Sequence, residues 1–161
     1  KARSEIWRNG MLKCVAIALK SACVRSACAS IPWASPEDTA QAKTFAAPPT
    51  GKSAIYFYRG SFMGQALKRD ISVDGKCIGK TANNMFFYSL VDGNKDHRLS
   101  TGGETTRHEI SLFTEAGKNY FVQQQITMGV WSASSKLKII PEEQGTKEID
   151  SLKLAISGDC S

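Results

Sequence analysis

No stretch of this chain approaches the roughly twenty consecutive apolar residues that a membrane-spanning helix needs. The longest apolar run, Cys14 to Leu19, is six residues and ends at Lys20. A multi-span membrane protein is excluded. Histidine is scarce, with only His97 and His108 in 161 residues. A hydrolytic triad or a zinc site needs an imidazole with oriented partners, and the nearby carboxylates Asp92, Asp96 and Glu109 follow no ligand spacing. A catalytic or metal role for His97 or His108 is therefore the minor alternative to ordinary strand-edge positions. It would gain if adjacent strands brought the two rings together. There is no G-x-S-x-G nucleophile elbow. Thr50-Gly51-Lys52-Ser53 echoes the end of a phosphate-binding loop. However, Ala46 stands where that loop's first glycine belongs, a proline pair precedes it, and a strand pattern follows it. No catalytic residue, metal or cofactor is expected.

What is present is a basic excess, formally +6. It is unevenly placed. Residues 1–27 carry six cations (Lys1, Arg3, Arg8, Lys13, Lys20, Arg25) against Glu5, a net +5, leaving +1 for residues 28–161. A nucleic-acid binder needs its basic stripe on the folded body, where phosphates are neutralised. Here the body alternates signs, as in Lys68-Arg69-Asp70, so no nucleic-acid partner is expected.

The leader reads as an address. Met11-Leu12-Lys13 and the apolar run after it form a short basic region followed by a hydrophobic one. Residues 1–10 then lie ahead of the native start at Met11. Two near-copies of one pentapeptide end in Ser-Ala-Cys, at Cys23 and Cys28. Small residues before a cysteine resemble the signal of bacterial lipoproteins, in which that thiol is acylated and becomes the new N-terminus. Cys28 is the expected lipidation site and Cys23 the alternative, although Arg25 (or Lys20) stands at a position where such signals carry an apolar residue. An unprocessed basic leader is the other reading. Residues 28–50, rich in Pro, Ala and Ser, are expected to be a flexible tether.

From residue 51 a single domain is expected. β-branched and aromatic runs alternate there with Gly, Asn and Asp. Strands are expected over 53–59, 67–74, 77–80, 83–91, 97–100, 107–114, 119–127 and 136–140. Asp74-Gly75 makes a two-residue hairpin turn, 92–96 is a turn, and a surface loop around Trp131 runs to residue 135. Leu137 and Ile139 are expected inward. Beyond Pro141, Ile149, Leu152 and Ile156 fall at i, i+3 and i+7 and predict a C-terminal helix of about three turns, its approach kept irregular by Pro141 and Gly145. The fold class is mainly β: an antiparallel β-sandwich of about seven to eight strands with one C-terminal helix.

The series PPTGKSAIYFYR, ISVDGKCIGK, NNMFFYSLVDG…HRLS, EAGKNYFVQQQI and EEQGTKEIDSLKLA resembles an uncharacterised bacterial family. Its members are lipoprotein candidates carrying a domain of unknown function. The hairpin and the G-K-x-Y opening also resemble transthyretin-like and PEGA-like modules, small β-sandwiches of bacterial envelope proteins. The resemblance spans about residues 45–155 and implies architecture and location, but no catalytic residue.

Two further features stay open. With the leader removed and Cys28 acylated, Cys77 and Cys160 remain as an even pair in an oxidising compartment, so they are either a disulfide or two separate thiols. Tyr56, Tyr58 and Tyr88, with Trp131, form either a surface that stacks on sugars or an apolar partner, or simply core. The expected function is a non-enzymatic envelope lipoprotein at the outer membrane, facing the periplasm. It would present a binding or structural module to another envelope protein or to cell-wall material. A small-molecule or carbohydrate-binding module and a hydrolase using His97 or His108 are the alternatives.

Overall fold

Strand β1 (Lys52–Arg59) explains the architecture. Its aromatic and β-branched residues alternate as a strand should, yet every residue from Ser53 to Arg59 is buried. Both faces of β1 must therefore be covered. A computed structural model, describing residues 32–60, 64–102, 107–128, 133–158 and 160, shows how. The described elements are α1 (Pro36–Ala42), β1, β2 (Arg69–Val73), β3 (Lys76–Thr81), β4 (Met85–Asp92), β5 (Lys95–Gly102), β6 (Arg107–Thr114), β7 (Asn119–Met128), β8 (Ala133–Ile140), α2 (Glu142–Ile149) and β9 (Lys153–Leu154). They form a five-stranded sheet, β8-β7-β1-β4-β9, and a four-stranded sheet, β3-β2-β5-β6.

Between the sheets lies one core, including Ile55, Phe57, Ile71, Phe87, Leu99, Val122 and Leu137. A second core covers the outer face of the five-stranded sheet, where Tyr56, Tyr58, Phe86, Phe121 and Ile140 pack with Ile149 of α2 and with Ala42 and Phe45 at the end of α1. The protein is a β-sandwich with helices on one outer face. The pairings are antiparallel except β1 with β7 and β4 with β9, which are parallel. The reason is that β7 and β9 reach their partners from the other sheet and from α2, rather than through hairpins. Asp74 (φ 51°) and Gly75 (φ 80°) make the expected turn between β2 and β3, both in the left-handed region that such a turn demands. By contrast, Gly93-Asn94 is no hairpin. It is a corner carrying the chain from β4 in one sheet to β5 in the other.

Three expectations are corrected. The C-terminal helix lies one element earlier than the apolar spacing suggests: α2 starts directly after Pro141 and ends at Ile149. Gly145 sits inside it because a Cβ there would run into the Phe121 ring. Leu152 follows in a turn, Ile156 is exposed, and the segment between them bonds to β4 through Lys153 N to Asn84 O (3.3 Å) and Ala155 N to Phe86 O (2.9 Å). The described part of the tether, from Pro32, is packed rather than loose. Ala34 N donates to Leu154 O and Ile156 N to Pro32 O. Helix α1 is capped by the Ser35 hydroxyl, which accepts from Asp38 N, with Pro36 in its first turn. Finally, Leu137 is buried, but Ile139 is 46% exposed and Ile140 is buried instead. The edge position of β8 leaves one face uncovered at Ile139, while Ile140 packs into the core under α2.

Candidate functional site

His97 is buried on β5, 3% exposed. Its Nδ1 lies 2.7 Å from Asp74 Oδ2 and its Nε2 lies 2.8 Å from the Asp92 carbonyl oxygen. A carbonyl and a carboxylate only accept, so both ring nitrogens face hydrogen-bond acceptors. Asp74 Oδ1 also accepts from Arg98 N at 2.8 Å, and Thr114 Oγ1 donates to Asp92 O at 3.0 Å. The imidazole thus ties the β2–β3 turn to the β4–β5 corner. Neither nitrogen is left for a substrate or a metal. His108 lies on the adjacent strand β6, but the register sets it opposite Thr101 while His97 faces Leu112. Four residues of strand separate them, about 13 Å. His108 Nδ1 instead accepts from Leu137 N at 3.2 Å.

The His97 hydrogen bond, followed by that from Arg98, holds the Asp74 carboxyl below its ordinary range. A depressed folded value means that the contribution is full above the unfolded pKa, about 3.9. It is lost as the pH falls through the folded value. With the carboxylate 45% exposed, screening keeps the effect below about 1 kcal/mol. Asp74→Asn is expected to flatten the acid side of a melting-temperature profile taken between pH 5 and 2. An unchanged acid slope would exclude Asp74 as a source of it.

The aromatic residues divide. Tyr56 and Tyr58 are each 1% exposed and form no surface, because α1 and α2 cover that face of β1. Tyr56 packs against Phe45, Phe86, Tyr88 and Phe121, with ring centroids 5.1–6.3 Å away. Its hydroxyl donates to Ala42 O at 3.1 Å. Tyr58 donates to Glu148 Oε2 at 2.8 Å, fastening α2 to the sheet. Burial raises the pKa of both phenols, with Glu148 adding to the effect at Tyr58. Tyr88 is half-buried, and burial raises its phenol too. Cys23, Cys28 and Trp131 lie outside the described residues.

Tyr88 opens onto a cleft of about 520 Å³ between α1 and the β9 edge of the five-stranded sheet. Ala42, Leu154 and Ile156 line its walls, with Asp38 and Gln41 among its polar groups. Its size suits a small ligand or a few side chains. A second cavity of about 280 Å³ lies on the other side of β4, in the seam toward β2 and β3, lined by Ser89, Val91, Ile78, Lys52, Lys76 and Lys95. Neither cavity is foreseen from the aromatic pattern. The first depends on α1, whose one sequence signal is Ser35-Pro36-Glu37-Asp38, a helix-start signature set in an otherwise tether-like stretch. Arg59 likewise has no signal of its role in the sequence. It is fully buried at the end of β1, where its guanidinium donates to the Gly64 carbonyl and, at 2.5 Å, to the Leu67 carbonyl. It thereby ties Gly64 and Leu67 to the end of β1.

Cys77 on β3 and Cys160 in the tail are joined by a disulfide, with their Cα atoms 5.9 Å apart. Gly158 N donates to Ile78 O alongside. The tail thus leaves β9 at the edge of one sheet and is fastened to β3 at the edge of the other. Among the described residues no group of three or more His, Cys, Asp or Glu is placed to hold a metal ion. No helix among them is long and apolar enough to cross a membrane.

A family model described as "Protein of unknown function (DUF2846)" matches residues 49–136. An uncharacterised protein of Haemophilus influenzae is 42% identical over 132 residues, covering 82% of this chain and 78% of its own length. No solved structure matches. The family match runs from the start of β1 into β8 and takes in the His97 corner and β4, while the cleft's α1 wall lies ahead of it. With more than half of its length matched, this chain belongs to the DUF2846 family.

Proposed function

We propose that this protein is a bacterial envelope lipoprotein, anchored through Cys28, whose β-sandwich serves as a binding module rather than an enzyme. The observation that carries the reading is the Cys77–Cys160 disulfide. Such bonds persist in oxidising compartments and are rare in the cytosol, which agrees with a leader that ends in small residues before cysteine. The hydrolase alternative loses its strongest candidate, since His97 spends both nitrogens on structural hydrogen bonds. Periplasm-facing attachment at the outer membrane, with another envelope protein or cell-wall material as partner, completes the reading.

Metabolic labelling with an alkyne fatty acid tests the anchor. Wild-type protein expressed in a bacterial host is expected to take up label and fractionate with membranes. Cys28→Ala is expected to lose both properties. Unlabelled, soluble wild-type protein would overturn the anchor, and label retained in Cys28→Ala but lost in Cys23→Ala would move it to Cys23.

The small-ligand reading keeps one specific support, the half-buried Tyr88 ring in the 520 Å³ cleft. An aromatic face of this kind can stack on a sugar ring. Titration with cell-wall disaccharides, comparing wild type with Tyr88→Ala, checks it.

A further inference from the structure

We infer that the free edge of β4, from Tyr88 to Asp92, is a docking edge for an extended, alternately apolar and acidic segment of a partner protein, which would add to the five-stranded sheet as a further strand. This names the partner class for the binding module proposed above. It rests on that reading for the non-enzymatic role but is independent of the lipid anchor.

β4 pairs with β1 along its whole length, Met85 to Asp92. On its other side it pairs with β9 only at Met85 and Phe86. Asn84 O and Phe86 O accept there from Lys153 N and Ala155 N, so the even-numbered residues turn their backbone groups away from β1. In an antiparallel ladder that direction alternates strictly, so Tyr88 and Leu90 also turn their N–H and C=O outward. No partner among the described residues meets them. After Ala155 the tail turns away, Ile156 N to Pro32 O and Gly158 N to Ile78 O. Exposure rises at the same point: β4 is buried through Phe87, partly open at Tyr88 and Ser89, and 46% exposed at Leu90.

The other sheet edges are guarded. Exposed Lys136 and Lys138 lie on β8, exposed Arg107 and Glu109 lie on β6, and the disulfide-bound tail lies along β3. Charges and coverage of this kind are how proteins keep edges from pairing. Tyr88-Ser89-Leu90-Val91 carries neither charge nor proline, and the one charge at the end of this edge, Asp92, is held by Lys52 at 2.6 Å.

The alternating donors and acceptors of a bare strand edge are matched by an extended peptide backbone, and alternate side chains of the added strand set its specificity. Here they would meet two different cavities. On the outer face, the cleft of Tyr88, Ala42, Leu154 and Ile156 takes an apolar side chain. On the inner face, the seam presents Lys76, which has no ion pair among the described residues, and Lys95, which makes no direct ion pair there but lies near enough to Asp74 and Asp92 to help lower both carboxyls. By contrast Lys52 is held by Asp92 at 2.6 Å and Asp74 by His97. That rim suits an acidic side chain.

The test selects displayed random octapeptides on the immobilised full chain and synthesises the best binder as the probe. The expected binder alternates apolar and acidic residues and slows amide exchange at Tyr88 and Leu90 at least tenfold. Leu90→Pro removes one outward N–H while leaving the β1 ladder intact. Leu90→Glu sets a like charge against the acidic residues of the added segment and serves should the proline variant fold poorly. Each is expected to weaken binding at least tenfold. A selection that yields no binder, protection confined to other amides, or undiminished affinity in Leu90→Glu would overturn the assignment. So would concentration-dependent dimerisation that protects the same amides, which would make a second copy the occupant. Fatty-acid labelling is untouched by any of these outcomes, so the anchor and the edge fail separately.

Discussion

Cys77→Ser is expected to lower the unfolding free energy by about 4–5 kcal/mol, and reduction of the wild-type protein is expected to do the same. The bond joins residues 83 apart in sequence. By the chain-entropy relation a loop of that length removes about this much disorder from the unfolded chain. A typical domain has only about 5–15 kcal/mol in total, so the loss should be visible as a large drop in the urea midpoint. Among the described residues the tail's other hold on β3 is chiefly the hydrogen bond from Gly158 N to Ile78 O. Cys160→Ser should therefore match Cys77→Ser, and the double variant should cost no more than either single one. Intact mass after denaturation and alkylation, with and without reductant, reports whether the pair is bonded. Two alkylated thiols at 77 and 160 without reductant, or a midpoint unmoved in Cys77→Ser, would contradict the linkage.

Tyr56→Ala is expected to cost about 3–5 kcal/mol, as large-to-small changes of buried aromatic residues do. Tyr56→Phe should cost only about 1 kcal/mol. The difference separates packing from hydrogen bonding. The ring is the centre of the second core, touching Phe45, Phe86, Tyr88 and Phe121. The hydroxyl does one thing, donating to the Ala42 carbonyl at the end of α1. The phenylalanine variant should leave the sheet intact and loosen α1, seen as faster amide exchange there. A Tyr56→Ala loss below about 1 kcal/mol in urea unfolding would mean that the helix-covered face contributes no real core.

The strands were legible because a pleated chain repeats every two residues, and that period survives in the sequence wherever one face is buried and the other is wet. Leu137 on β8, buried between exposed Lys136 and Lys138, is such a case; the Asp74-Gly75 turn was legible because few residue pairs accept its backbone angles. Legibility failed where both faces are buried. On β1 the Tyr56 and Tyr58 side chains look like a wet or ligand-facing surface until α1 and α2 are laid over them. The C-terminal helix exists, but its bounds were misread for a related reason. Ile149, Leu152 and Ile156 mimic one helical face, yet the backbone of that segment finds its partners on β4. Gly145, which reads as a helix breaker, is what lets α2 approach Phe121.

Local chemistry therefore determined the mainly β class, the turn at Asp74-Gly75 and the confinement of the basic charge to residues 1–27. Each depends on neighbours a few residues apart. Tertiary structure alone decided that β7 and β9 join their sheet in parallel, that His97 becomes a doubly bonded corner rather than a reactive imidazole, and that β9 pairs with β4 only at Met85 and Phe86. These outcomes depend on which distant segments meet. Between Asp74 and His97, or Phe86 and Leu154, the chain leaves and returns, and no local preference encodes where it lands.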